Sequence, residues 1–169
     1  FKNEPHIGGF ENHLKCFALA SGTFVKFLCD DDLLHPTCIE RMVDVMREHP
    51  DVTLVTSHRQ LIDEGGNHLP DSIPTQRVTN RDACFDGVYL ANEMLRRGIN
   101  FIGEPTTTLF RKTDLADAVP NIFSFGGRVG LGNGDMTMWV HLLSKGDAIY
   151  LVDTLSFFRQ HESQEQRHS

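Results

Sequence analysis

The chain has few cysteines, and none of the four lies in a CxxC pair. Zinc ribbons and thioredoxin-like redox motifs both need that spacing and are therefore excluded. Four cysteines in 169 residues are also too few for a disulfide framework, so we expect reduced thiols. Long apolar runs are missing as well. The stretch from Ile149 to Val152 is typical and falls far below the ~20 residues that cross a bilayer.

The sequence also lacks a surplus of basic residues. Lys and Arg number 16 against 23 Asp and Glu, which leaves a net charge of −7. Phosphate backbones are bound by basic faces, so no nucleic acid is expected as a partner. A nucleotide can still be held through a divalent cation, because carboxylates bind the metal and the metal binds the phosphates.

Apolar residues make up 40% and charged residues 23% of the chain, without internal repeats or a linker. We expect a single domain over residues 1–169, with a frayed tail at 162–169. Helices are predicted at residues 10–20, 36–49, 87–97 and 135–144, with a short one from 113. Strands are predicted at 24–29, 52–57, 106–111, 148–152 and 155–159, and loops at 68–82 and 120–134. Residues 59–63 either continue the strand at 52–57 or pair with it. This alternation predicts an α/β fold with a mainly parallel or mixed sheet flanked by helices.

Three adjacent acids, Asp30, Asp31 and Asp32, directly follow the apolar strand predicted at 24–29. In open α/β sheets, ligands bind beyond the carboxyl ends of the strands. Strand geometry would place Asp30 and Asp32 on one face, whereas a turn would change that arrangement. The triplet could hold Mg²⁺ or Mn²⁺, completed by substrate phosphates. The alternative is a solvated turn at the entrance of the next helix.

The segment ASGTFVKFLCDDDLLHPTCIERMV resembles the central motif of the family-two glycosyltransferases, nucleotide-sugar-dependent enzymes of the GT-A fold. Three later segments are similar to further motifs of that family, in the same order. GEPTTTLFRKTDL resembles the acceptor-side strand, GDMTMWVHLLSKGDAIYL the catalytic Glu-Asp helix, and FFRQHESQ the closing R-x-H segment. The resemblance covers most of residues 12–164. It implies a metal-dependent, inverting transfer of a sugar from a nucleoside-diphosphate sugar to an acceptor hydroxyl.

The resemblance implies that the acidic cluster holds a divalent metal, Mn²⁺ or Mg²⁺, together with the donor diphosphate. Asp31 is the first choice as metal ligand, and Asp30 and Asp32 remain candidates because the register of the motif can slip by one residue. Cys29 departs from the family pattern, since it stands where the first acid is usual. The contact that this acid makes in the family is therefore not expected here.

The closing segment supplies two more candidates, Arg159 and His161, which can share a face of the last strand. The resemblance makes His161 a metal ligand or a diphosphate contact, and imidazole suits Mn²⁺. Arg159 is expected to contact donor or acceptor. The alternative for His161 is a tail histidine without a function.

Asp135 occupies the second position of the family's Glu-Asp pair, while Gly134 replaces the Glu. The resemblance implies that Asp135 is the base that removes the proton from the acceptor hydroxyl. A plain helix N-cap is the alternative.

Glu104 and Thr106 could line the acceptor pocket or merely lead into a strand. Trp139, one helical turn after Asp135, could stack on a sugar or lie in the core.

The implied partners are a nucleotide-sugar donor and a sugar, lipid-linked or protein acceptor. A role in cell-envelope polysaccharide synthesis follows from the resemblance, in the cytoplasm or at the periphery of the membrane. The family's motifs for base and ribose have no counterpart in this sequence. We therefore expect a catalytic and acceptor half, incomplete and inactive by itself, that binds nucleotide sugars no more tightly than about millimolar.

Residues 24–28 are apolar on both faces, as in a strand that is covered on both sides, so we expect neighbouring elements on either side of them. We predict that they lie at an exposed sheet edge or under another chain, which favours a homodimer. The alternative function is a non-catalytic GT-A-like fragment that binds a sugar or a protein. A metal phosphohydrolase is a third and weaker interpretation, because its usual His and Asp clusters are missing.

Overall fold

The helices lie close to the positions that the sequence predicts. The structure, a computed structural model, describes residues 3–130 and 133–161. In these ranges the α-helices are Gly8–Leu19 (α1), Cys38–Glu48 (α2), Gly87–Arg97 (α3) and Gly134–Leu143 (α4). Helix α3 illustrates the local signals. Asp86 caps its start by accepting a hydrogen bond from Tyr89 N at 2.7 Å, and Gly98 ends it with a φ of 63°.

The strands form one mixed sheet and one small hairpin. Within the described residues they are Phe24–Val25 (β1), Leu33–Leu34 (β2), Val52–Ile62 (β3), Ala83–Phe85 (β4), Leu109–Arg111 (β5), Ser124–Phe125 (β6), Arg128–Val129 (β7) and Asp147–Arg159 (β8). The main sheet has the order β1-β5-β3-β8-β2, and β4 also pairs with β8. Strands β3 and β8 run parallel, and their other partners are antiparallel. The predicted α/β class is confirmed, and the sheet is of the mixed kind.

Helices cover both faces of this sheet. Neighbouring residues Leu54 and Val55 of β3 belong to two different apolar cores, as expected for a strand buried on both sides. Helices α1, α3 and α4 contribute to the core around Leu54, and α2 contributes to the core around Val55. Among the described residues, no helix combines the length and apolar character that a membrane span requires.

The first strand is shorter than predicted because the chain exchanges strand pairing for contacts with a neighbouring turn. After Val25, Lys26 Nζ donates to Thr106 O at 2.7 Å, and Cys29 N donates to Thr106 Oγ1 at 3.1 Å. Strand β1 is the last in the order of the described sheet, and Leu28 is 57% exposed. The predicted edge position is thus confirmed for β1, while the homodimer stays a prediction.

The glycine-rich segment at 120–134 is predicted to be a loop, but it contains the hairpin β6–β7. Gly126 and Gly127 form its turn with φ values of 57° and 76°, which glycine adopts without strain. Residues 131 and 132 of this segment, and the predicted frayed tail at 162–169, lie outside the described residues.

The two strands predicted at the end of the chain are one continuous strand, β8, with a bulge. Its pairing with β3 shifts between Ser57, opposite Leu151, and His58, opposite Thr154. A bulge adds residues to one strand without ending it. Strand β8 therefore continues to Arg159, next to the acidic triplet.

Candidate functional site

The acidic triplet forms a turn rather than a strand end. Asp32 N donates to Cys29 O at 3.3 Å, which closes the turn. Asp30 is exposed, Asp31 is half-buried and Asp32 is buried, so the three carboxylates have different surroundings. The strand spacing that would pair Asp30 with Asp32 does not apply. Asp31 and Asp32 are instead the two whose carboxylates contact another element.

The end of β8 lies against this turn and brings two predicted residues to it. His161 Nε2 lies 3.0 Å from Asp31 Oδ2. Arg159 donates from its main-chain N to Asp32 Oδ1 at 3.1 Å and from Nε to Asp31 O at 2.8 Å. Its guanidinium also donates to two main-chain oxygens of the turn after β3. The structure thus brings Asp31 and His161 together, and Arg159 holds the main chain around them.

Asp32 is a buried carboxyl group with one oxygen satisfied. Its Oδ1 accepts the bond from Arg159 N, whereas Oδ2 has no hydrogen-bond partner in the described part of the chain. Burial raises the pKa of Asp32 to about 6, against the opposing effects of the Thr106 hydroxyl and Arg159 N. The negative charges of Asp31 and Glu104 add to the rise. Such a group is costly without a cation and well suited to receive one.

Asp32→Asn is expected to stabilise the metal-free protein at pH 7, by on the order of 2 kcal/mol. The folded pKa of about 6 lies above the ordinary 3.8. The folded state therefore binds the proton more tightly, and stability conferred by Asp32 falls as pH rises from about 4 to about 6. Denaturant unfolding at pH 4 and pH 7 without metal measures this. The gain should vanish at pH 4, and a variant less stable than wild type at pH 7 contradicts the account.

The turn Pro105–Thr107 fastens the acidic turn to the acceptor-side segment. Thr106 is 2% exposed, and its hydroxyl accepts the hydrogen bond from Cys29 N. Its carbonyl accepts from Lys26, whose pKa burial lowers to about 8. Thr106 therefore supports the acidic turn from behind. Because its side chain is covered, the structure favours the alternative in which Thr106 leads into a strand over the one in which it lines an acceptor pocket.

Glu104 lies beside this turn and pairs with an arginine that was not predicted. Arg59 Nε lies 2.8 Å from Glu104 Oε2, and the two side chains are 3% and 17% exposed. Arg59 also donates to Asn100 O at 3.1 Å. The run VTLVTSHR already carried a signal, since a charged residue inside an apolar strand requires a buried partner.

Asp135 is the second residue of α4 and is held by two donors. Met136 N donates to Oδ1 at 2.8 Å, and Asn100 Nδ2 donates to Oδ2 at 2.7 Å. The N-cap of the helix is Asn133, so the plain N-cap alternative for Asp135 is wrong. Burial raises the pKa of Asp135, while the two hydrogen bonds and the nearby charge of Arg59 oppose the rise. A carboxylate in these surroundings is suited to accept a proton.

Trp139 belongs to the core. It is fully buried, its indole Nε1 donates to Gly103 O at 2.9 Å, and its ring meets Phe110 edge-on with 6.4 Å between centroids. Of the two alternatives for Trp139, the core position is therefore the correct one and sugar stacking is wrong, because the indole is covered by protein. Its contribution is to support the segment that carries Glu104.

Within the described residues, the chain offers few side chains that could bind a metal ion together. Residues 3–130 and 133–161 contain no group of three or more His, Cys, Asp or Glu placed to hold a metal ion. Asp31 and His161 form a pair, and in the same turn Oδ2 of Asp32 is buried without a hydrogen-bond partner among the described residues. Mg²⁺ and similar ions are commonly held by one or two carboxylates with substrate phosphates. The residues present fit such an ion, provided that a diphosphate completes the set.

Comparison with curated sequences finds a relative of uncharacterized function. No family model matches the chain. The uncharacterized protein MT1568 of Mycobacterium tuberculosis (strain CDC 1551 / Oshkosh) is 27% identical over 163 residues. The match includes 94% of this chain and 49% of the relative. The chain therefore spans about half the length of the curated relative it matches.

Among solved structures, the chain is similar to the crystal structure of S. aureus TarS 1-349 in complex with UDP-GlcNAc. The TM-score is 0.64 at 15% sequence identity, and the likeness covers 96% of this chain and 42% of the TarS chain. At this identity the likeness concerns the fold alone. It confirms an α/β fold with a curled mixed sheet, similar to a GT-A glycosyltransferase.

Proposed function

We propose that the chain is the catalytic part of a metal-dependent, inverting glycosyltransferase that uses a nucleoside-diphosphate sugar. The observation that carries the proposal is the position of Asp31 and Asp135 around one short segment, residues 100–107. The turn that carries Asp31 is fastened to this segment at Cys29, whose main-chain N donates to the Thr106 hydroxyl. Asp135 is fastened to it through Asn100. A site for the leaving diphosphate and a base for the acceptor would thus share one support.

We assign the metal to Asp31 and His161. The buried carboxylate of Asp32 lies in the same turn but does not complete a three-residue set with them. The mixed carboxylate and imidazole set suits Mn²⁺ or Mg²⁺. When bound, such an ion stabilises the negative charge of the departing nucleoside diphosphate. The protein's own part is to hold the ligands in place, and the bonds from Arg159 to the turn serve that purpose.

The assigned role of Asp135 is proton acceptance. In a single displacement, the acceptor oxygen attacks the anomeric carbon while the bond to the diphosphate breaks, and the diphosphate leaves with the electron pair. The acceptor's proton passes to the Asp135 carboxylate, and the configuration at the anomeric carbon inverts. Burial raises the pKa of Asp135, which makes its carboxylate a stronger proton acceptor, and the charge of Arg59 partly opposes that rise.

UDP-GlcNAc is the first donor to test, because the similar TarS structure contains it. The isolated chain should bind UDP-GlcNAc in the presence of the diamagnetic ion Mg²⁺ and lose that binding in EDTA. Chemical shift titration measures this even for weak binding. Equal affinity with Mg²⁺ and with EDTA contradicts metal dependence, and the exposed variant Asp44→Asn should behave as wild type.

A second candidate is a non-catalytic domain that keeps the fold and binds a sugar or a protein. Two observations favour it. Gly134 leaves α4 with one acid where the resembled family has two, and the described residues contain no three-residue metal group. Release of UDP upon addition of a sugar acceptor distinguishes the candidates. A transferase forms UDP in step with the glycosylated acceptor, whereas a binding domain forms none.

A further inference from the structure

The side chain of Asn100 connects the segment between α3 and β5 with Asp135. Its Oδ1 accepts a hydrogen bond from Gly103 N at 3.0 Å, and its Nδ2 donates to Gly103 O at 3.1 Å. The same Nδ2 donates to Asp135 Oδ2 at 2.7 Å. The side-chain amide of Asn100 therefore closes the loop from Asn100 to Gly103 and also binds the Asp135 carboxylate of helix α4.

These partners determine which way the amide faces. A main-chain N–H can only donate, so the oxygen of the Asn100 amide must face Gly103 N. The nitrogen then faces Asp135, and both of its hydrogens are used, one on Gly103 O and one on the carboxylate. Rotation of the amide by half a turn would bring oxygen against oxygen at both places.

The loop that carries Asn100 is itself anchored. Arg59 donates to Asn100 O, and Trp139 Nε1 donates to Gly103 O. Gly103 has a φ of 115°, and a Cβ at this position would lie 2.7 Å from Thr107 Oγ1. The loop is thus confined to one conformation in which the amide is presented to Asp135.

The carboxylate of Asp135 has one donor on each oxygen, Met136 N and Asn100 Nδ2. Rotation of the carboxylate would break both bonds, so its remaining lone pairs keep fixed directions. The charged group that acts on it is Arg59 from β3, which is itself paired with Glu104. A neutral amide stabilises the ionised carboxylate without closing it in an ion pair, which leaves it free to take a proton.

We propose that Asn100 is a positioning residue for Asp135, which orients the carboxylate toward the acceptor hydroxyl and favours its ionised form before the reaction. This inference rests on the proposed function only in naming an acceptor hydroxyl. The hydrogen bond from Asn100 to Asp135 exists in the folded chain whether or not the chain transfers a sugar. The competing role is that Asn100 only closes its own loop through Gly103.

The test is the titration of the Asp135 carboxyl carbon by NMR in wild type, Asn100→Ala, Asn100→Asp and the exposed control Asn92→Ala. Asn100→Ala removes a donor to the charged form, so the pKa of Asp135 should rise. Asn100→Asp keeps the acceptor for Gly103 N and adds a second acid, so the pair should hold a proton to still higher pH. Asn92→Ala should match wild type. An Asp135 titration unchanged in both folded Asn100 variants overturns the inference.

A rate measurement separates this inference from the proposed function. With UDP-GlcNAc and an accepted sugar, turnover of Asn100→Ala at pH 7, measured in a full-length context, should fall by roughly tenfold. The acid limb of its rate profile should move to higher pH, so that part of the loss is recovered in alkali. If no variant has activity but the Asp135 titration shifts as expected, the proposed function fails and the contact stands. An unshifted rate profile in an active variant overturns the positioning role.

Discussion

In a full-length context, Asp135→Asn should lower turnover with a nucleotide sugar and its acceptor by roughly 10² to 10⁴, while donor binding stays near that of wild type. The amide keeps the size of the side chain and can still accept from Met136 N, but it cannot take up the proton of the attacking hydroxyl. The other carboxylate oxygen, Oδ2, accepts a hydrogen bond from Asn100 Nδ2 at 2.7 Å, and the substitution changes this contact. The expected defect is therefore in the chemical step, which single-turnover kinetics measures.

A matched control is available at another helix start. Asp86 caps α3 by accepting from Tyr89 N, and asparagine caps equally well, so Asp86→Asn should keep full turnover. Wild-type turnover in Asp135→Asn rules out its role as the base. If both variants lose stability to a similar degree and turnover falls in proportion, Asp135 serves the helix and not the reaction.

Asp31→Asn should weaken Mn²⁺-dependent binding of UDP-GlcNAc by well over tenfold, since both an oxygen ligand and its charge are lost. The prediction depends on the 3.0 Å contact between Asp31 Oδ2 and His161 Nε2, which places two ligand types together. Asp30→Asn should have a smaller effect because Asp30 is exposed and lies outside that contact. Calorimetry with and without Mn²⁺ gives both affinities.

The exposed variant Asp44→Asn, on α2, is the matched control for the loss of one negative charge. It should retain wild-type affinity. Unchanged Mn²⁺ affinity after substitution of Asp31, and likewise of Asp30 and Asp32, means that the acidic turn is a solvated turn and not a metal site. A loss of equal size in Asp44→Asn would instead point to a general effect of net charge.

The helices and the central strands were predictable because their signals are local. Gly98 ends α3, and the apolar run from Val52 makes β3, as the sequence indicates. The ends of the strands near the site were not predictable. Strand β1 stops early because Cys29 N bonds with the Thr106 hydroxyl, a residue far away in the sequence. Such a contact depends on the fold, and no local pattern reports it.

The candidate site was predictable where a motif supplied the residues and not where packing supplied them. Asp31, His161 and Asp135 came from motifs, and the structure places each beside a polar partner. Trp139 was ambiguous, because helical spacing says which residues neighbour each other but not which side of the helix is covered. Asn100 carried no signal, since its role arises from the turn of a loop around Gly103.

The central claim is that a metal-bound nucleotide sugar lies between the acidic turn and Asp135, and paramagnetic broadening of backbone amide signals by Mn²⁺ with UDP-GlcNAc tests it most directly. The account predicts loss of signals at residues 29–32, 104–107, 134–136 and 159–161, with the signals of Asp44 and Asp86 retained. A polar cavity of about 360 Å³, lined in part by Asp51, Asp114 and Asp147, lies at the opposite end of β3 and β8. Broadening centred on that cavity, or no selective broadening at all, would contradict the account.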